Sequence, residues 1–296
     1  MRVAFFGLPL AGWLLARDGH QIVWAGACRR HAPGTRRLAR LAATARAAPD
    51  AASDGIYEEV RRARPELVVS WFWTKKLPRR ILDLAPAVGV HPSLLPRHRG
   101  PDPYFWAIDE GDAVTGVTAH LLEEEYDTGD ILAQRVLRIR PSWNSWQLAR
   151  ALDRPSLALL RDTVADFARG RPPPRAPQEA ARVTLAPDPT DEQLALRWSW
   201  TAKRLARRIR AAAPWPGAWT EIGERLVTLL RVRPTRDFPR TLERGEAAVR
   251  ADGMAVIRAS DDALELLEGR SEDDEPLGPR GLADMVDQAR LLDRDR

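Results

Sequence analysis

The start of the chain constrains its fold more than any other segment, because an apolar run, a turn, a helical pattern and a second apolar run follow one another. Val3–Phe6 is predicted to be a short buried strand, Gly7–Pro9 a turn and Leu10–Arg17 a helix. Gln21–Ala25 is predicted to be a second strand. A strand, a helix and a strand in this order form a βαβ unit, so the chain is predicted to begin an α/β domain.

Dinucleotide-binding enzymes also begin with a βαβ unit, but the glycine spacing argues against that class. Gly7 and Gly12 lie five residues apart, whereas the dinucleotide fingerprint has three glycines in the order G-x-G-x-x-G. Ala27 and Cys28 follow the second strand, where such enzymes carry an acidic residue for the ribose. We therefore expect no nicotinamide cofactor.

The first half of the chain alternates predicted helices and strands, and a proline-rich stretch at Gly170–Pro177 ends that pattern. Helices are predicted at Thr35–Ala48, Ile56–Ala63, Arg79–Leu84 and Trp146–Ala168, and strands at Leu67–Trp73, Ala87–Val90, Thr115–Leu122 and Ile131–Ile139. A helix and closely spaced strands, typical of a small barrel, are predicted beyond the prolines at Thr201–Ala212, Trp219–Ile222, Leu226–Val232, Ala247–Arg250, Met254–Arg258 and Ala263–Glu268. We therefore predict one domain at residues 1–170, a linker at 171–189 and a β-rich domain at 190–296.

The composition is that of an ordinary folded chain. Hydrophobic residues make up 44% and charged residues 29%, which excludes wholesale disorder. The 46 Lys and Arg against 41 Asp and Glu give a charge of +5, which permits anionic ligands without requiring them. Cys28 is the single cysteine, which excludes a disulfide framework and a cysteine metal cluster. We expect a cytoplasmic protein with no bound metal, no membrane segment and no obligate protein partner.

The surroundings of His91 indicate chemistry, because it ends a predicted buried strand at the sheet edge where open α/β proteins bind ligands. Leu94 and Leu95 lie between prolines in the next loop, which predicts a rigid apolar surface suited to a flat ring system. Glu123–Asp130 holds five carboxylates but lacks the alternating oxygen ligands of a cation loop. Asp127 precedes a Thr-Gly turn that would direct it towards His91, where it would hold the imidazole in one tautomer.

Three motifs resemble the core of the folate-dependent formyltransferase family: GVHPSLLPRHRG at Gly89–Gly100, TGVT at Thr115–Thr118 and DTGD at Asp127–Asp130. The second half is similar too, since IRA at Ile209–Ala211 and PWPGAW at Pro214–Trp219 resemble the C-terminal domain of methionyl-tRNA formyltransferases. That domain also occurs in some formyltransferases that act on sugar nucleotides. Spacing, order and residue type agree in both halves, so the resemblance covers nearly the whole chain.

The resemblance implies a Rossmann-like N-terminal domain followed by a small OB-like β-barrel domain. It implies that the protein moves the formyl group of 10-formyltetrahydrofolate, its co-substrate, to a primary amine. The loop that lies against the folate in this family corresponds here to Ser93, Leu94, Leu95 and Pro96.

The family's catalytic set of Asn, His and Asp is incomplete in this chain. The His corresponds to His91 and the Asp to Asp127, but Gly89 stands in place of the Asn. Gly89 leaves room for a water or another side chain beside the folate site, and losing one donor to an oxyanion typically costs about 10²–10³ in rate. His120 resembles a histidine of glycinamide ribonucleotide and amino-sugar formyltransferases. We expect His120 or an ordered water to replace the amide as donor.

Four arginines follow the second predicted strand, where methionyl-tRNA formyltransferases carry a basic insertion. Arg29, Arg30, Arg36 and Arg37 are therefore predicted to contact tRNA phosphates. Three functions stay open at this point. The acceptor is an aminoacyl-tRNA, or it is a small amine such as an amino-sugar nucleotide or a biosynthetic intermediate, which His120 and the missing Asn favour. Alternatively, the chain is an impaired relative that binds folate or RNA without transfer.

Overall fold

The computed structural model describes residues 1–294, which form two compact units. The first unit consists of Met1–Pro103, Val114–Arg138 and Arg150–Pro187. The second unit consists of Tyr104–Ala113, Ile139–Ala149 and the described residues from Asp188 onward. Each unit is assembled from separate stretches of the chain, so the continuous domains expected from the sequence stay a prediction.

A seven-stranded sheet with the order β3-β2-β1-β4-β5-β6-β7 organises the first unit. Its strands are β1 (Arg2–Gly7), β2 (Gln21–Ala27), β3 (Ala45–Ala47), β4 (Leu67–Trp71), β5 (Ala87–His91), β6 (Val114–Leu121) and β7 (Ile131–Arg138). The first five strands are parallel, and β6 and β7 extend the sheet in antiparallel pairs. Phe5 and Phe6 on β1 are fully buried, as expected of a parallel strand that is covered on both faces.

Helices connect the strands, and short polar side chains cap the first turn of several of them. The helices are α1 (Pro9–Arg17), α2 (Thr35–Leu41), α3 (Asp54–Ala63), α4 (Arg79–Leu82), α5 (Pro103–Glu110), α6 (Ser145–Ala168), α7 (Asp191–Leu194), α8 (Ala202–Ala212) and α9 (Pro279–Arg294). The Ser53 hydroxyl accepts a hydrogen bond from the backbone of α3, and the Thr201 hydroxyl accepts one from the backbone of α8. No helix in the described part of the chain is both long and apolar enough to cross a membrane.

The second unit contains a curled antiparallel sheet with the order β10-β11-β12-β9-β8, and β13 pairs with β12. Its strands are β8 (Ala218–Ile222), β9 (Arg225–Thr235), β10 (Ala247–Val249), β11 (Ala255–Arg258), β12 (Ala263–Ser271) and β13 (Pro276–Leu277). The register between β9 and β12 shifts around Glu268, and such irregularities bend a strand and increase its twist. The predicted class, a Rossmann-like α/β domain and a small OB-like β domain, is confirmed.

A buried carboxylate joins α5 to α8 within the second unit. Asp109 is 2% exposed and accepts hydrogen bonds from Arg208 at 2.7 and 2.9 Å and from Arg204 at 2.8 Å. Burial acts to raise the pKa of Asp109, but the hydrogen bonds and charges of the two guanidiniums outweigh it. The pKa of Asp109 therefore lies below its ordinary value.

The structure differs from the predicted elements where tertiary contacts override local preference. The predicted helix at Thr35–Ala48 ends at Leu41, and Ala45–Ala47 instead forms the edge strand beside β2. The strand predicted to continue to Trp73 ends at Trp71, because Phe72 takes a left-handed conformation with φ of 54°. The helices α5 and α9 were not expected from the sequence pattern.

Candidate active site

The pairing of β5 with β6 places the predicted catalytic positions on one face of the sheet. Gly89 lies opposite His120, and His91 lies opposite Thr118. Side chains of cross-strand partners share a face, and positions two apart on a strand do so as well. His91, Thr118, His120 and the vacant position of Gly89 therefore lie side by side.

Asp127 lies against both of these histidines. Its Oδ1 atom is 3.4 Å from Nδ1 of His91 and 3.6 Å from Nε2 of His120. The two imidazoles are buried, and the side chain of Asp127 is 16% exposed. The structure thus brings together His91, Asp127 and His120, which we call the His-Asp-His cluster.

One ring nitrogen of each histidine in this cluster forms a hydrogen bond with a backbone carbonyl. Nε2 of His91 lies 2.8 Å from the carbonyl oxygen of His98, and Nδ1 of His120 lies 2.8 Å from that of Leu121. A carbonyl only accepts, so both of these nitrogens carry protons, and a neutral imidazole has no other. When both rings are neutral, the nitrogens that face Asp127 have lone pairs. A hydrogen bond inside the cluster therefore requires one additional proton.

Burial keeps His120 neutral. It lowers the pKa of His120 below the ordinary value of 6.5, the charge of Asp127 opposes this shift, and a positive His91 adds to it. Nε2 of His120 is accordingly a hydrogen-bond acceptor. The donor role expected of it would require a second proton on the ring, because the proton of the neutral ring is directed at Leu121.

A network that sequence reasoning missed holds Asp127 in place. Asp127 has a left-handed backbone with φ of 58°, and its Oδ2 accepts the backbone N–H of Gly100 at 3.0 Å. The amide of Gln178 donates to the carbonyls of Asp127 and Gly129 at 2.8 and 2.7 Å. Arg99 in turn donates to Oε1 of Gln178 at 2.7 Å. Gln178 lies in the predicted linker, and no pattern in the sequence distinguishes it.

The loop after His91 is fixed by side chains from the two antiparallel strands. The Thr118 hydroxyl donates to the carbonyl of Ser93 at 2.7 Å and accepts the backbone N–H of Leu95 at 3.0 Å. The amide of Gln134 donates to the Leu95 carbonyl at 2.8 Å and to the Thr118 hydroxyl at 2.9 Å. This loop is therefore rigid before any ligand binds.

The four predicted folate-binding residues differ in how much surface they offer. Ser93 and Leu95 are buried, whereas Leu94 and Pro96 are partly exposed. The side chain of Leu94 packs where Gly116 has no Cβ. A flat ring that lies on this loop would contact Leu94 and Pro96, because Ser93 and Leu95 have almost no exposed surface.

Comparison with known proteins gives the family to which this architecture belongs. The family model described as Formyl transferase matches residues 24–164, and that described as Formyl transferase, C-terminal domain, matches residues 189–284. A methionyl-tRNA formyltransferase of Anaeromyxobacter dehalogenans strain 2CP-C is 36% identical over 293 residues, covering 91% of this chain and 93% of the relative. The chain belongs to the formyl transferase family.

Two solved structures share the fold of this formyl transferase. HypX from Aquifex aeolicus in complex with tetrahydrofolic acid has a TM-score of 0.66 at 20% identity, covering 98% of this chain and 47% of that chain. The N-formyltransferase from Helicobacter canadensis, in complex with folinic acid and dTDP-3-aminofucose, has a TM-score of 0.66 at 12% identity, covering 89% and 98%. At these identities the likeness concerns the fold alone.

Another side chain fills the space beside Gly89 in this formyl transferase. A Cβ built on Gly89 would lie 2.7 Å from Cδ2 of Leu122. Leu122 follows His120 by two residues and continues on the same face, so it covers the place where the family's Asn would begin. Leu122 is therefore the side chain that lies beside Gly89.

The four arginines predicted to bind tRNA lie at the same edge of the sheet as His91. Arg29 and Arg30 follow the carboxyl end of β2, and Arg36 and Arg37 lie in the first turn of α2. All four are exposed, and none is paired with a carboxylate among the described residues. The ends of β2 and β5 are three strand spacings apart, which is about 14 Å.

Proposed function

We propose that this formyl transferase moves the formyl group of 10-formyltetrahydrofolate to the amino group of methionyl-tRNA. The His-Asp-His cluster, buried at the carboxyl edge of a parallel sheet, is the observation that carries the chemistry. The relative named methionyl-tRNA formyltransferase, which aligns over nearly the whole chain, supports the acceptor. We assign residues 1–170 to a catalytic domain, 171–189 to a linker and 190–296 to a C-terminal domain, a division that the two family-model matches support.

The reaction sets two demands on the site. The amine nitrogen bonds to the formyl carbon and gives up a proton, and the formyl oxygen then carries negative charge. The bond from that carbon to the folate nitrogen breaks as the proton passes to the folate nitrogen. The site must therefore accept a proton from the amine and present a donor to the oxygen. The folate supplies the formyl group, and the residues of this chain supply the proton acceptor and the donor.

His120 is assigned the acceptor role and His91 the donor role. Neutral His120 has its lone pair on Nε2, because Nδ1 donates to Leu121. His91 can hold a second proton on Nδ1, where Oδ1 of Asp127 stabilises the imidazolium charge at 3.4 Å. The extra proton that the cluster requires is thus assigned to Nδ1 of His91, where Oδ1 of Asp127 and the formyl oxygen both accept it. Asp127 stabilises the charge and orients both rings.

The folate is proposed to lie on the loop of Ser93, Leu94, Leu95 and Pro96. Leu94 and Pro96 offer apolar side-chain surface, and hydrogen bonds to Thr118 fix the backbone beneath them. Because the loop is already ordered, little conformational entropy is lost when a flat ring binds.

The tRNA is proposed to contact the four unpaired arginines on the same edge. Exposed guanidiniums without a carboxylate partner are free to neutralise phosphates, and their binding is weakened by salt as counterions are released. Four such contacts would make tRNA affinity fall steeply with ionic strength. Binding of a small amine would not require these phosphate contacts.

A small amine is the second candidate acceptor, and the presence of His120 in the cluster favours it. A buried second histidine supplies the proton acceptor of the reaction, so a large substrate need not contribute one. A third candidate, a binding protein without transfer, rests on the replacement of the Asn by Gly89.

Incubation with 10-formyltetrahydrofolate and either methionyl-tRNA or an amino-sugar nucleotide tests the proposal. We expect mass spectrometry to detect a formyl group on the methionine released from the tRNA and none on the sugar nucleotide. Formylation of the sugar nucleotide alone would support the second candidate. Folate binding with no transfer to either acceptor would support the third candidate. The His91→Asn variant is the negative control for both acceptors.

A further inference from the structure

The stretch predicted to be a linker is bonded to both loops of the candidate site. Ala176 exchanges backbone hydrogen bonds with Ile131, directly after the DTGD motif, at 2.8 and 2.9 Å. The carbonyl of Thr184 accepts the backbone N–H of Arg99 at 2.9 Å, and the hydroxyl of Thr184 accepts that of His98 at 2.8 Å. All of these residues lie in the first unit. The stretch therefore crosses from one loop of the site to the other.

Gln178 lies between these two attachments, and both ends of its side-chain amide are bonded at the site. Its Nε2 donates to the carbonyl of Asp127 at 2.8 Å and to that of Gly129 at 2.7 Å. Its Oε1 accepts from Nε of Arg99 at 3.0 Å and from Nη2 at 2.7 Å. Because a guanidinium only donates and a carbonyl only accepts, the amide fits this place in one orientation.

The turn that Gln178 binds has a backbone that requires support from outside the turn. Asp127 has φ of 58°, in the left-handed region that residues with a side chain seldom adopt. A Cβ built on Gly129 would collide with the carbonyl oxygen of Leu121, so the turn packs closely against the end of β6. Backbone of this kind persists where surrounding contacts hold it. The two hydrogen bonds from Gln178 to carbonyls of the turn are such contacts.

The position of this turn determines where the carboxylate of Asp127 lies. Its Oδ1 is 3.4 Å from Nδ1 of His91 and 3.6 Å from Nε2 of His120, which is at the long end of the range for a charged pair. A misplacement of about 1 Å in a catalytic site can cost about 10²-fold in rate. A small movement of the turn would therefore separate the carboxylate from both imidazoles.

We propose that Gln178 is a positioning residue for formyl transfer, because it holds the turn at Asp127 so that one carboxylate faces both imidazoles of the His-Asp-His cluster. Gln178 acts through Asp127 and not on the substrate. The stretch that carries Gln178 is accordingly a part of the active site. This inference rests on the proposed function, since it is the proposed function that gives Asp127 its role in transfer.

Two variants of Gln178 test the role of its amide donor. Gln178→Leu removes every hydrogen bond of the side chain, whereas Gln178→Glu keeps an acceptor for Arg99 but has no N–H for the two carbonyls of the turn. We expect single-turnover transfer from 10-formyltetrahydrofolate to methionyl-tRNA to fall about 10- to 10²-fold in both variants. Folate affinity should stay as in the wild type, because Thr118 fixes the folate loop. A wild-type rate in Gln178→Glu would show that the bond with Arg99 suffices and would overturn the inference.

A double-mutant cycle with Asp127 separates positioning from a merely structural role. If Gln178 acts through the carboxylate, Gln178→Leu should lower the rate less than about threefold further in a chain that already carries Asp127→Asn. An equal fall in both backgrounds would overturn the inference. Gln193→Leu is the matched control, because Oε1 of Gln193 also binds backbone, the N–H of Thr190 at 3.0 Å, but in the second unit. The transfer rate of this control should match that of the wild type.

The backbone amide of Gly100 reports the position of the carboxylate without any transfer. It donates to Oδ2 of Asp127 at 3.0 Å, so its hydrogen exchange, followed by NMR, should be faster in Gln178→Leu than in the wild type. The amide of Ala186 donates to the carbonyl of Arg99 at 2.7 Å and should exchange as in the wild type. Unchanged exchange at Gly100 would overturn the inference. Faster exchange at both amides would indicate a general loosening of the stretch and would overturn it as well.

These measurements distinguish failure of the inference from failure of the proposed function. Transfer by the wild type with an unaltered rate in Gln178→Leu would overturn the positioning role alone. Faster exchange at Gly100 in the variant, without transfer to methionyl-tRNA by the wild type, would overturn the proposed acceptor alone.

Discussion

Gly89 lies directly opposite His120 on the neighbouring antiparallel strand, and His91 shares their face. His120 is therefore the side chain across from the position where the family has Asn, while Leu122 fills the space beside Gly89. His120 is not chemically equivalent to that Asn, since an amide donates while Nε2 of neutral His120 accepts. We infer that the loss of the donor moves the task of stabilising the oxyanion to protonated His91.

His91→Asn should replace the charged imidazolium donor by a shorter, neutral amide, and the rate of formyl transfer should fall by about 10²–10³-fold or more. Asp127→Asn should have nearly the same effect, because both imidazoles then lose the carboxylate that orients them. Single-turnover rates under saturating folate measure the effect. Folate affinity, measured by titration, should be unchanged in both variants, and full activity of either variant would contradict the roles assigned to this pair.

His120→Gln should reduce kcat/KM by about 10²–10⁴-fold, the usual range for a general acid or base. Because burial lowers the pKa of His120 below 6.5, the ring stays neutral and active at neutral pH. Activity should be lost only when the pH falls below 6.5 and passes the lowered pKa of His120, because the ring is then protonated. The pH profile of the variant should lack that acidic limb, and an unaltered profile would exclude His120 as the acceptor.

The same shift links His120 to stability. Below pH 6.5 the unfolded chain binds a proton at this position more readily than the folded chain, so the free energy of unfolding should fall as pH decreases. Above pH 6.5 this contribution is constant. Urea titrations at several pH values should show that the free energy of unfolding falls less in acid for His120→Gln than for the wild type. An identical dependence would indicate that the ring is not held neutral by burial.

Gly89→Asn should disturb Leu122, because the new Cβ would lie 2.7 Å from Cδ2 of that residue. Overpacking of this kind typically costs about 1–3 kcal/mol of unfolding free energy. In Gly89→Asn with Leu122→Ala, the amide has space beside His91, and transfer should equal or exceed that of the wild type. If the double variant folds, binds folate and is still inactive, the apolar contact of Leu122 is itself required.

Asp109→Asn should destabilise the second unit by about 3–5 kcal/mol, since it leaves the buried guanidinium of Arg208 and the partly buried one of Arg204 beside a neutral group. Chemical denaturation of the full chain measures the loss. Asp109 has a lowered pKa, so its contribution should persist at neutral pH and disappear only in acid as its carboxylate is protonated. Glu268→Gln, which removes an exposed ion pair with Arg231, is the matched control and should cost less than about 1 kcal/mol.

The local pattern of the chain was sufficient to predict the parallel sheet, the sheet edge at His91 and the turn that directs Asp127. Buried apolar runs and turn residues encode these features within a few neighbouring positions. The contacts of Gln178 and Leu122 were not predictable, because they join positions distant in sequence and carry no distinctive residue type. The segment Ala45–Ala47 has helical preference, and only its pairing with β2 makes it a strand.

Single-turnover transfer from 10-formyltetrahydrofolate to methionyl-tRNA, compared between wild type, His91→Asn and His120→Gln, tests the central claim most directly. We predict formyl-methionine from the wild type and a fall of at least about 10²-fold in each variant, with folate affinity and unfolding midpoint unchanged at neutral pH. Formylation at the wild-type rate by either variant would contradict catalysis by the His-Asp-His cluster.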